Sequence, residues 1–304
     1  MVQSDVGVVD PRNVLCGMGI RAARVRLVAH RRNTHWMVDT PARRVVLRRY
    51  SSDRTHGDVA YELRLLEHLD GRGWPVPAPV APLIETVGSI WCAFRYMPGR
   101  APAPRSVAGV RAEQRRRGRL LAQLHADMAD MVAIGQREGW RRADEGLFDR
   151  TGKLPVDEIL ARYERESPEE GHVLRAYADR MRERLSELLP HAPAPVVIHG
   201  DLTPWNIRFA RGTLSAVLDF DAAHLDLRVA DFALSWRGRH DEVLRGYEEV
   251  SPLEPVERVL LVPIFWAWTI ASAVAGIDEG AASAAWAVRL LLRTELIRSC
   301  QGPS

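Results

Sequence analysis

The sequence predicts an α+β protein of two lobes, a small antiparallel sheet followed by a mainly helical lobe. Three observations support this prediction. The chain of 304 residues is longer than one hydrophobic core commonly requires. Residues 24–50 alternate apolar and polar side chains as strands do, and most of the chain after residue 110 has apolar side chains at helical spacing. The proline- and glycine-rich stretch that begins at Met97 separates a domain of residues 1–98 from a domain of residues 99–304.

The amino-terminal lobe contains strand-like runs and one helix. A turn at residues 40–42 separates the second and third strands, and apolar residues recur every three or four positions between residues 57 and 69, as in an amphipathic helix. Prolines between residues 75 and 82 enforce extended chain before a last strand. The strands are expected over residues 24–30, 35–40, 43–50 and 89–96.

The carboxyl-terminal lobe is predicted to be helical with one exception. Short apolar runs at residues 196–198, 207–209 and 216–218 are split by polar clusters, which indicates short strands and loops. Residues 259–277 carry no charge and are long enough to cross a membrane, but Pro263, the small residues and the lack of basic flanks favour a buried helix. The helices are expected over residues 118–131, 169–189, 241–250, 259–277 and 281–292.

Charge and cysteine content exclude several classes of function. The 42 basic and 39 acidic side chains nearly cancel and are interspersed, so a nucleic-acid partner has no support. The three cysteines are too scattered for a disulfide framework or a zinc site, and no apolar leader is visible, so we expect a cytoplasmic protein without a membrane partner. Lys153 is the only lysine. The oligomeric state is left open.

The main chemical signal is the segment HGDLTPWN, residues 199–206. Asp201 follows His199 by two positions and Asn206 follows Asp201 by five, which is the spacing of the catalytic loop of phosphoryl-transfer enzymes. A second segment, LDFD, places Asp219 after an apolar run. An aspartate beside a hydroxyl can accept its proton, and amide and carboxylate oxygens are ligands that Mg²⁺ prefers.

Each of these residues has a simpler alternative. Asp201 could cap a helix, and Asn206 could be a turn residue after a proline, although their joint spacing with Asp219 argues against both. His199 with Asp201 could bind a hydrolytic metal, but no other cluster with ligand spacing supports this. Asp221 and Asp231 are best explained as supporting carboxylates.

The segments HGDLTPWN and LDFD resemble those of the aminoglycoside phosphotransferase and small-molecule kinase family. The resemblance implies a protein-kinase-like bilobal fold and transfer of phosphate from ATP, or GTP, to a hydroxyl of a small molecule, with Mg²⁺ as cofactor. It implies that Asp201 is the catalytic base, that Asn206 and Asp219 hold the metal, and that His199 braces the loop. Residues 246–258 resemble the homoserine-kinase-like branch more than the antibiotic kinases.

The amino-terminal lobe matches the family in the same order. Asn33 lies in a segment that resembles the nucleotide-loop hairpin, and Phe94 and Tyr96 lie in a segment that resembles the hinge. Arg48 stands where the family often has a lysine, with Glu62 in the following helix as its natural ion-pair partner. Arginine keeps the positive charge and can bind phosphate with two parallel hydrogen bonds. We therefore expect these five residues to form the nucleotide site.

The acceptor is not identified by the sequence. The resemblance implies a pocket lined by the loop after Asp221 and by the last helices, which carry Trp266 and Trp268, although tryptophans at helical spacing are more often core residues. An antibiotic and an amino-alcohol metabolite both remain open, as do roles in resistance and in metabolism. A catalytically silent nucleotide-binding module on the same fold is the alternative. A protein kinase is disfavoured because no A-P-E segment follows Asp219.

Overall fold

A computed structural model describes residues 9–30, 32–86, 88–142, 144–145, 155–236 and 241–297. They divide into two compact units. The sheet unit comprises the described residues within Met1–Ala101, Arg137–Gly139 and Trp205–Asp221, and the helical unit comprises those within Pro102–Gln136, Trp140–Pro204 and Ala222–Ser304. Lys153 lies outside the described residues.

The sheet unit contains a five-stranded antiparallel sheet in the order β1-β2-β3-β5-β4. The helix α2 begins after Thr55, whose side chain accepts a hydrogen bond from the Asp58 backbone N–H at 3.1 Å. The predicted strands and this helix are present within two residues of their expected bounds, whereas α1 and β4 are too short for a periodic signal. The elements are α1 (Pro11–Gly17), β1 (Arg24–His30), β2 (Thr34–Asp39), β3 (Arg44–Arg49), α2 (His56–Gly71), β4 (Ile84–Thr86) and β5 (Ser89–Arg95).

The two faces of β3 have different neighbours. Val45 and Leu47, 2% and 0% exposed, belong to a buried apolar cluster with α1 and with Trp91 of β5. Because side chains alternate along a strand, Val46 and Arg48 lie on the opposite face. The register pairs Arg48 with His35 of β2. The apolar face thus fixes the strand so that Arg48 projects from the other side.

Residues 205–221 also pack in the sheet unit, although a division at residue 98 assigns them to the second domain. They form the hairpin of β7 (Ile207–Ala210) and β8 (Thr213–Val217). Arg100 and Phe209 exchange two backbone hydrogen bonds, at 3.1 and 2.9 Å, and Val217 N–H donates to the Pro75 carbonyl at 2.9 Å. Backbone pairing of this kind between distant segments leaves no periodic signal in the sequence.

The helical unit contains helices and one two-stranded sheet, β6 paired with β9. The helix α3 was expected over residues 118–131 but begins at Val107 and ends at Asp127, followed by a 3-10 helix, Ala129–Ile134. Its arginine-rich first half lacks an apolar repeat, and its start is fixed by Ser106, whose side chain accepts from Gly109 N–H at 3.1 Å. The elements are α3 (Val107–Asp127), α4 (Val156–Glu166), α5 (Pro168–Leu188), β6 (Val196–Ile198), β9 (His224–Asp226), α6 (Ala230–Trp236), α7 (Asp241–Glu248), α8 (Pro255–Asp278) and α9 (Ala285–Ile297).

The apolar helix α8 extends over 24 residues, including the interior Pro263. It is the one helix of the described chain that is long and apolar enough to cross a membrane, and 72% of its most apolar window is buried inside the protein. That burial is typical of the core helix of a folded unit, as the sequence predicted for residues 259–277.

Candidate functional site

A cavity of about 450 Å³ lies in the sheet unit, on the face of the sheet that carries Arg48. We call it the sheet cavity. It has the size of a pocket for a small ligand or cofactor. Side chains from β3, from the end of β5 and the segment after it, and from both ends of the hairpin β7–β8 surround it, among them Arg48, Phe94, Tyr96, Trp205, Asn206 and Asp219. Residues far apart in sequence therefore meet at one concave surface.

Asn33 and Glu62 do not line the sheet cavity, in contrast to the other expected nucleotide-site residues. Asn33 is 7% exposed; its Nδ2 donates to Oδ2 of Asp221 at 3.2 Å, and its Oδ1 accepts from Ser51 N–H at 3.1 Å. Both groups of its amide are therefore engaged within the protein. These contacts connect Asn33 to Asp221 and Ser51, and its expected role in nucleotide binding stays a prediction.

Glu62 acts on the cavity through Arg48. The Arg48 Nη1 donates to Oε1 of Glu62 at 2.9 Å, and Tyr50 Oη donates to Oε2 at 3.1 Å. The Arg48 guanidinium also lies over the ring of Phe94, 5.1 Å from its centroid. Burial alone would lower the pKa of Arg48, but Glu62 together with Tyr50, Asp221 and Asp219 more than offsets it and raises that pKa. Arg48 is therefore a permanently charged group at the cavity wall.

His35 fixes the orientation of this guanidinium. Arg48 Nε donates to Nε2 of His35 at 3.0 Å, so Nε2 must be unprotonated. Burial, followed by the positive charge of Arg48, lowers the pKa of His35 to about 4. The imidazole is therefore neutral near pH 7 and serves as a hydrogen-bond acceptor. The sequence predicts His35 only as the first residue of a strand, and the register of β2 against β3 places it beside Arg48.

Two further arginines hold the segment that follows Asp219. Arg137 Nη1 donates to the Phe220 carbonyl at 3.1 Å, and Arg54 Nη2 donates to the Asp221 carbonyl at 3.0 Å. Both guanidinium groups also pair with the carboxylate of Asp58, at 2.5 and 2.6 Å respectively. Sequence reasoning missed both. The i,i+4 spacing of Arg54 and Asp58 was an available signal, whereas Arg137 lies 79 positions from Asp58.

The two aspartates of LDFD have different roles in this arrangement. The carboxylate of Asp221 is paired with Arg54 at 2.5 Å and accepts from Asn33. Asp219 lines the sheet cavity, at a backbone φ of 65°, in the left-handed region that aspartate tolerates better than most residues. Of the two, Asp219 therefore presents its carboxylate to a ligand.

Asn206 and Asp219 line the same cavity and belong to adjoining chain segments, since Leu218 N–H donates to the Asn206 carbonyl at 2.8 Å. The described residues contain no group of three or more His, Cys, Asp or Glu side chains that could hold a metal ion alone. One amide and one carboxylate oxygen fit Mg²⁺, which is commonly bound by one or two carboxylates together with substrate phosphates. The donor set fits a metal that arrives with a phosphate ligand.

The HGD loop, residues 199–204, belongs to the helical unit. The carboxylate of Asp231, 0% exposed, accepts hydrogen bonds from the backbone N–H of His199 at 2.8 Å and of Gly200 at 2.6 Å. Burial alone would raise the pKa of Asp231, but hydrogen bonds and the neighbouring His125 hold it below its ordinary value. His199 in turn accepts at Nδ1 from Asp201 N–H at 3.2 Å. Asp231 and His199 thus fix the backbone on either side of Gly200.

Gly200 is required by the path of this loop. Its φ is 78°, and a Cβ at this position would lie 2.3 Å from the Ala222 carbonyl oxygen. Behind Asp231, Nε2 of His125 lies 2.8 Å from its carboxylate, and Nδ1 of His125 lies 2.9 Å from Tyr247 Oη. His125 lies 106 positions before Asp231, and the sequence carries no signal for this contact.

The two tryptophans expected at the acceptor pocket differ in position. Trp266 is 2% exposed and packs edge to face on Tyr177, with ring centroids 5.3 Å apart, so it is a core residue. Trp268 lines a cavity of about 320 Å³ within the helical unit, which we call the helical cavity. Trp266 therefore packs in the core and Trp268 lies at a cavity wall, and a role of either in acceptor binding stays a prediction.

Comparisons with known proteins find kinases among the similar proteins. A homoserine kinase of Azorhizobium caulinodans is 28% identical over 254 residues, covering 74% of this chain and 70% of that protein. The structure of a microcompartment-associated aminopropanol kinase matches with a TM-score of 0.66 at 17% identity, covering 96% of this chain and 97% of that one. An aminoglycoside phosphotransferase solved with ADP and hygromycin B matches with a TM-score of 0.59 at 15% identity, covering 97% and 100%.

These structural likenesses confirm the expected protein-kinase-like α+β fold. The sequence profile of the phosphotransferase enzyme family matches residues 24–253, which include β3 with Arg48, the HGD loop and the LDFD segment. The match covers most of the chain, including the candidate residues of the sheet cavity and of the HGD loop. The chain is a member of the phosphotransferase enzyme family.

Proposed function

We propose that this enzyme transfers the γ-phosphoryl group of ATP or GTP to a hydroxyl group of a small molecule. The observation that carries the proposal is the meeting of Arg48, Asn206 and Asp219 at the sheet cavity. A fixed cation and two oxygen donors at one wall suit a nucleoside triphosphate bound with a divalent metal. A homoserine kinase and an aminopropanol kinase among the similar proteins support a hydroxyl acceptor.

Arg48 binds the phosphates in this proposal. Its Nε and Nη1 are engaged by His35 and Glu62, so the guanidinium plane is fixed before the nucleotide arrives. The N–H groups not used in these bonds remain for phosphate oxygens. Phe94 and Tyr96 contribute the aromatic part of the same wall and are assigned to the nucleotide.

Asn206 and Asp219 are assigned to the metal. When bound, Mg²⁺ would neutralise negative charge on the phosphates. Arg54 and Arg137 keep the Asp219 carboxylate in place by binding the two carbonyls that follow it. Both arginines are buried and paired with Asp58, so they fix the backbone that carries the exposed side chain of Asp219.

Asp201 is assigned to the acceptor. Its carboxylate orients the hydroxyl and takes its proton as the hydroxyl oxygen bonds to the γ-phosphorus. The bond from that phosphorus to the β-phosphate oxygen breaks, and the nucleoside diphosphate leaves with the electron pair. The backbone of the loop that carries Asp201 is held by Asp231, which accepts from His199 N–H, and by His199, which accepts from Asp201 N–H.

The test is acceptor-dependent ADP formation by wild type and Asp201→Asn, with L-homoserine, aminopropanol and hygromycin B as a first panel. We expect Asp201→Asn to lower turnover by about two to four powers of ten with the affinity for Mg-ATP nearly unchanged. Near-normal turnover in the variant contradicts the role of Asp201. Tight Mg-ATP binding without transfer to any tested alcohol would favour the silent nucleotide-binding module instead.

A further inference from the structure

Arg208 of β7 lines the sheet cavity and has no role in the function proposed above. Two further arginines line the cavity, and both are paired within the protein. Arg48 is paired with Glu62, and the Arg95 guanidinium with the carboxylate of Asp70. By contrast, the half-buried Arg208 makes no ion pair and no side-chain hydrogen bond with any residue that the structure describes. Its guanidinium is thus open to a ligand.

The hairpin β7–β8 defines two ends of the cavity. Leu218 N–H donates to the Asn206 carbonyl, so Asn206 and Asp219 lie together where β7 begins and β8 ends. Arg208 lies two residues further along β7, about 7 Å from Asn206 and on the same side of the strand. Gly99 is next to it, since a Cβ on Gly99 would lie 3.1 Å from the Cβ of Arg208. Arg208 is therefore at the end of the cavity that lies away from the proposed metal ligands.

The strand β3 has the same two ends. Arg48 lies near the proposed metal ligands, because the charge of Asp219 is among those that raise its pKa. Val46 lies two residues from Arg48 on the same face of β3, toward the end of β5. Tyr96 follows β5 and also lines the cavity, and its segment passes Arg208 three residues later. The end of the cavity that contains Arg208 thus also contains apolar and aromatic side chains.

A nucleotide whose phosphates and metal lie at Arg48, Asn206 and Asp219 has its base at the other end of the cavity. A purine base is a flat ring system, and the cavity lies between the five-stranded sheet and the hairpin β7–β8. One face of the ring then meets Val46 of the sheet, and the other meets Arg208 of the hairpin. A guanidinium group is planar and cationic, and it stacks on aromatic faces. The position of Arg208 therefore suits a contact with the face of the base.

We propose that the base of the bound nucleotide stacks on Arg208, with the guanidinium plane against the plane of the ring. The inference rests on the function proposed above and adds a base-binding residue to it. A contact with the edge of the base would favour guanine, because arginine can donate to both O6 and N7 of guanine, whereas adenine carries a donor at N6. A contact with the face of the base does not depend on these groups. Arg208 therefore strengthens the binding of adenine and guanine nucleotides to a similar extent.

The first experiment is calorimetric titration of wild type and Arg208→Ala with Mg-ATP, Mg-GTP and Mg-tripolyphosphate, which has phosphates but no base. We expect Arg208→Ala to weaken the binding of both nucleotides by about threefold to thirtyfold and to leave the affinity for tripolyphosphate unchanged. The matched control is Arg26→Ala, which removes the same charge from an exposed position of β1 outside the cavity and should change none of the three affinities. An equal loss for tripolyphosphate would mean that Arg208 binds phosphate, and it would overturn the proposal.

The second experiment separates the charge of Arg208 from its plane, using Mg-ATP alone. Lysine keeps the positive charge and could still bind a phosphate group, but it has no planar group to stack. We expect Arg208→Lys to bind Mg-ATP at least about twofold more weakly than wild type does. Wild-type affinity in Arg208→Lys would show that a point charge is sufficient and would overturn the stacked arrangement.

The outcomes distinguish this inference from the proposed function. A loss confined to Mg-GTP would place Arg208 at the edge of guanine and overturn the stacked contact. Nucleotide binding that is the same in Arg208→Ala and wild type would overturn the inference and leave the phosphotransferase function intact. Failure of wild type to bind either Mg-ATP or Mg-GTP would overturn the proposed function, and the inference with it.

Discussion

Arg48 and Glu62 form an ion pair whose Nη1–Oε1 distance is 2.9 Å and whose carboxylate side is 1% exposed. A second hydrogen bond, from Tyr50 Oη, reaches the other oxygen of the same carboxylate. Removing two charges from water costs free energy that offsets much of their attraction, so such a pair adds little net stability. Its main effect is to fix the orientation of the Arg48 guanidinium. Removing one member leaves the other charged and unpaired. The pair therefore couples the cation of the sheet cavity to the packing of α2.

We expect Glu62→Gln to lower the free energy of unfolding by about 3 kcal/mol and to raise KM for ATP, because Arg48 loses its partner and its fixed orientation. Urea denaturation and ATP titration measure the two effects. The control is Asp39→Asn, which breaks an exposed pair with Arg44 and should cost less than about 1 kcal/mol. Similar losses in the two variants would show that the Glu62 pair is no more important than a surface pair.

The sequence predicted this pair because both elements had strong periodic signals. Alternation along residues 43–50 and the repeat over residues 57–69 defined β3 and α2, and the family resemblance paired their charges. The contact of His35 with Arg48 could not be predicted, because it depends on the register of β2 against β3. The contact of Arg137 with Asp58 could not be predicted for a different reason. A single arginine in a polar stretch carries no signal for a partner 79 positions away.

Asp219→Asn should weaken Mg-ATP binding strongly and leave metal-free ATP binding nearly unchanged, since the carboxylate acts through the ion. Asparagine tolerates the φ of 65° about as well as aspartate, so the variant tests the charge and not the backbone. Calorimetry with and without Mg²⁺ measures the difference.

Asp221→Asn is the comparison variant. Its carboxylate is paired with Arg54, so we expect lower stability rather than a specific loss of metal dependence. An unchanged metal dependence in Asp219→Asn together with a lost one in Asp221→Asn would reverse the assignment of the two aspartates.

The low pKa of His35 predicts a pH dependence of stability. In the folded protein His35 has a pKa of about 4, whereas an unfolded histidine titrates near pH 6.5. Between these values the unfolded chain binds more protons, so the free energy of unfolding falls as pH is lowered through this window. His35→Gln should make the fall shallower between about pH 7.5 and about pH 5.

Urea midpoints at the two pH values measure this effect. His172→Gln, which changes a side chain that is 79% exposed, should leave the slope as in wild type. The same slope in His35→Gln and wild type would mean that His35 is not the group whose proton affinity changes on folding.

The sequence predicts the HGD loop from its residue spacing but does not predict which residues hold its backbone. The spacing of Asp201, Asn206 and Asp219 predicts phosphoryl-transfer chemistry, while the buried contacts of Asp231 with the loop backbone arise from α6, an element too short to predict. The segment 205–221 packs in the sheet unit although it follows residue 98 in the sequence, and the backbone pairing that holds it there leaves no sequence pattern. The candidate site residues could thus be named from the sequence, whereas the distant residues that hold them in place could not.

The contact between Asp231 and the loop backbone gives the last prediction. Asp231→Asn has nearly the same shape but replaces one acceptor oxygen by a donor that faces backbone N–H groups or His125. We expect a loss of about 2 to 4 kcal/mol in the free energy of unfolding, because buried donors lose a charged acceptor. Turnover should fall by about tenfold or more, since the loop that carries Asp201 is no longer held, while KM for ATP should stay nearly constant because the sheet cavity has no part in this contact. Thermal denaturation and steady-state kinetics at a temperature where the variant is folded separate the two effects. A rise in KM for ATP that matches the fall in turnover would show that Asp231 supports the whole fold rather than the position of Asp201.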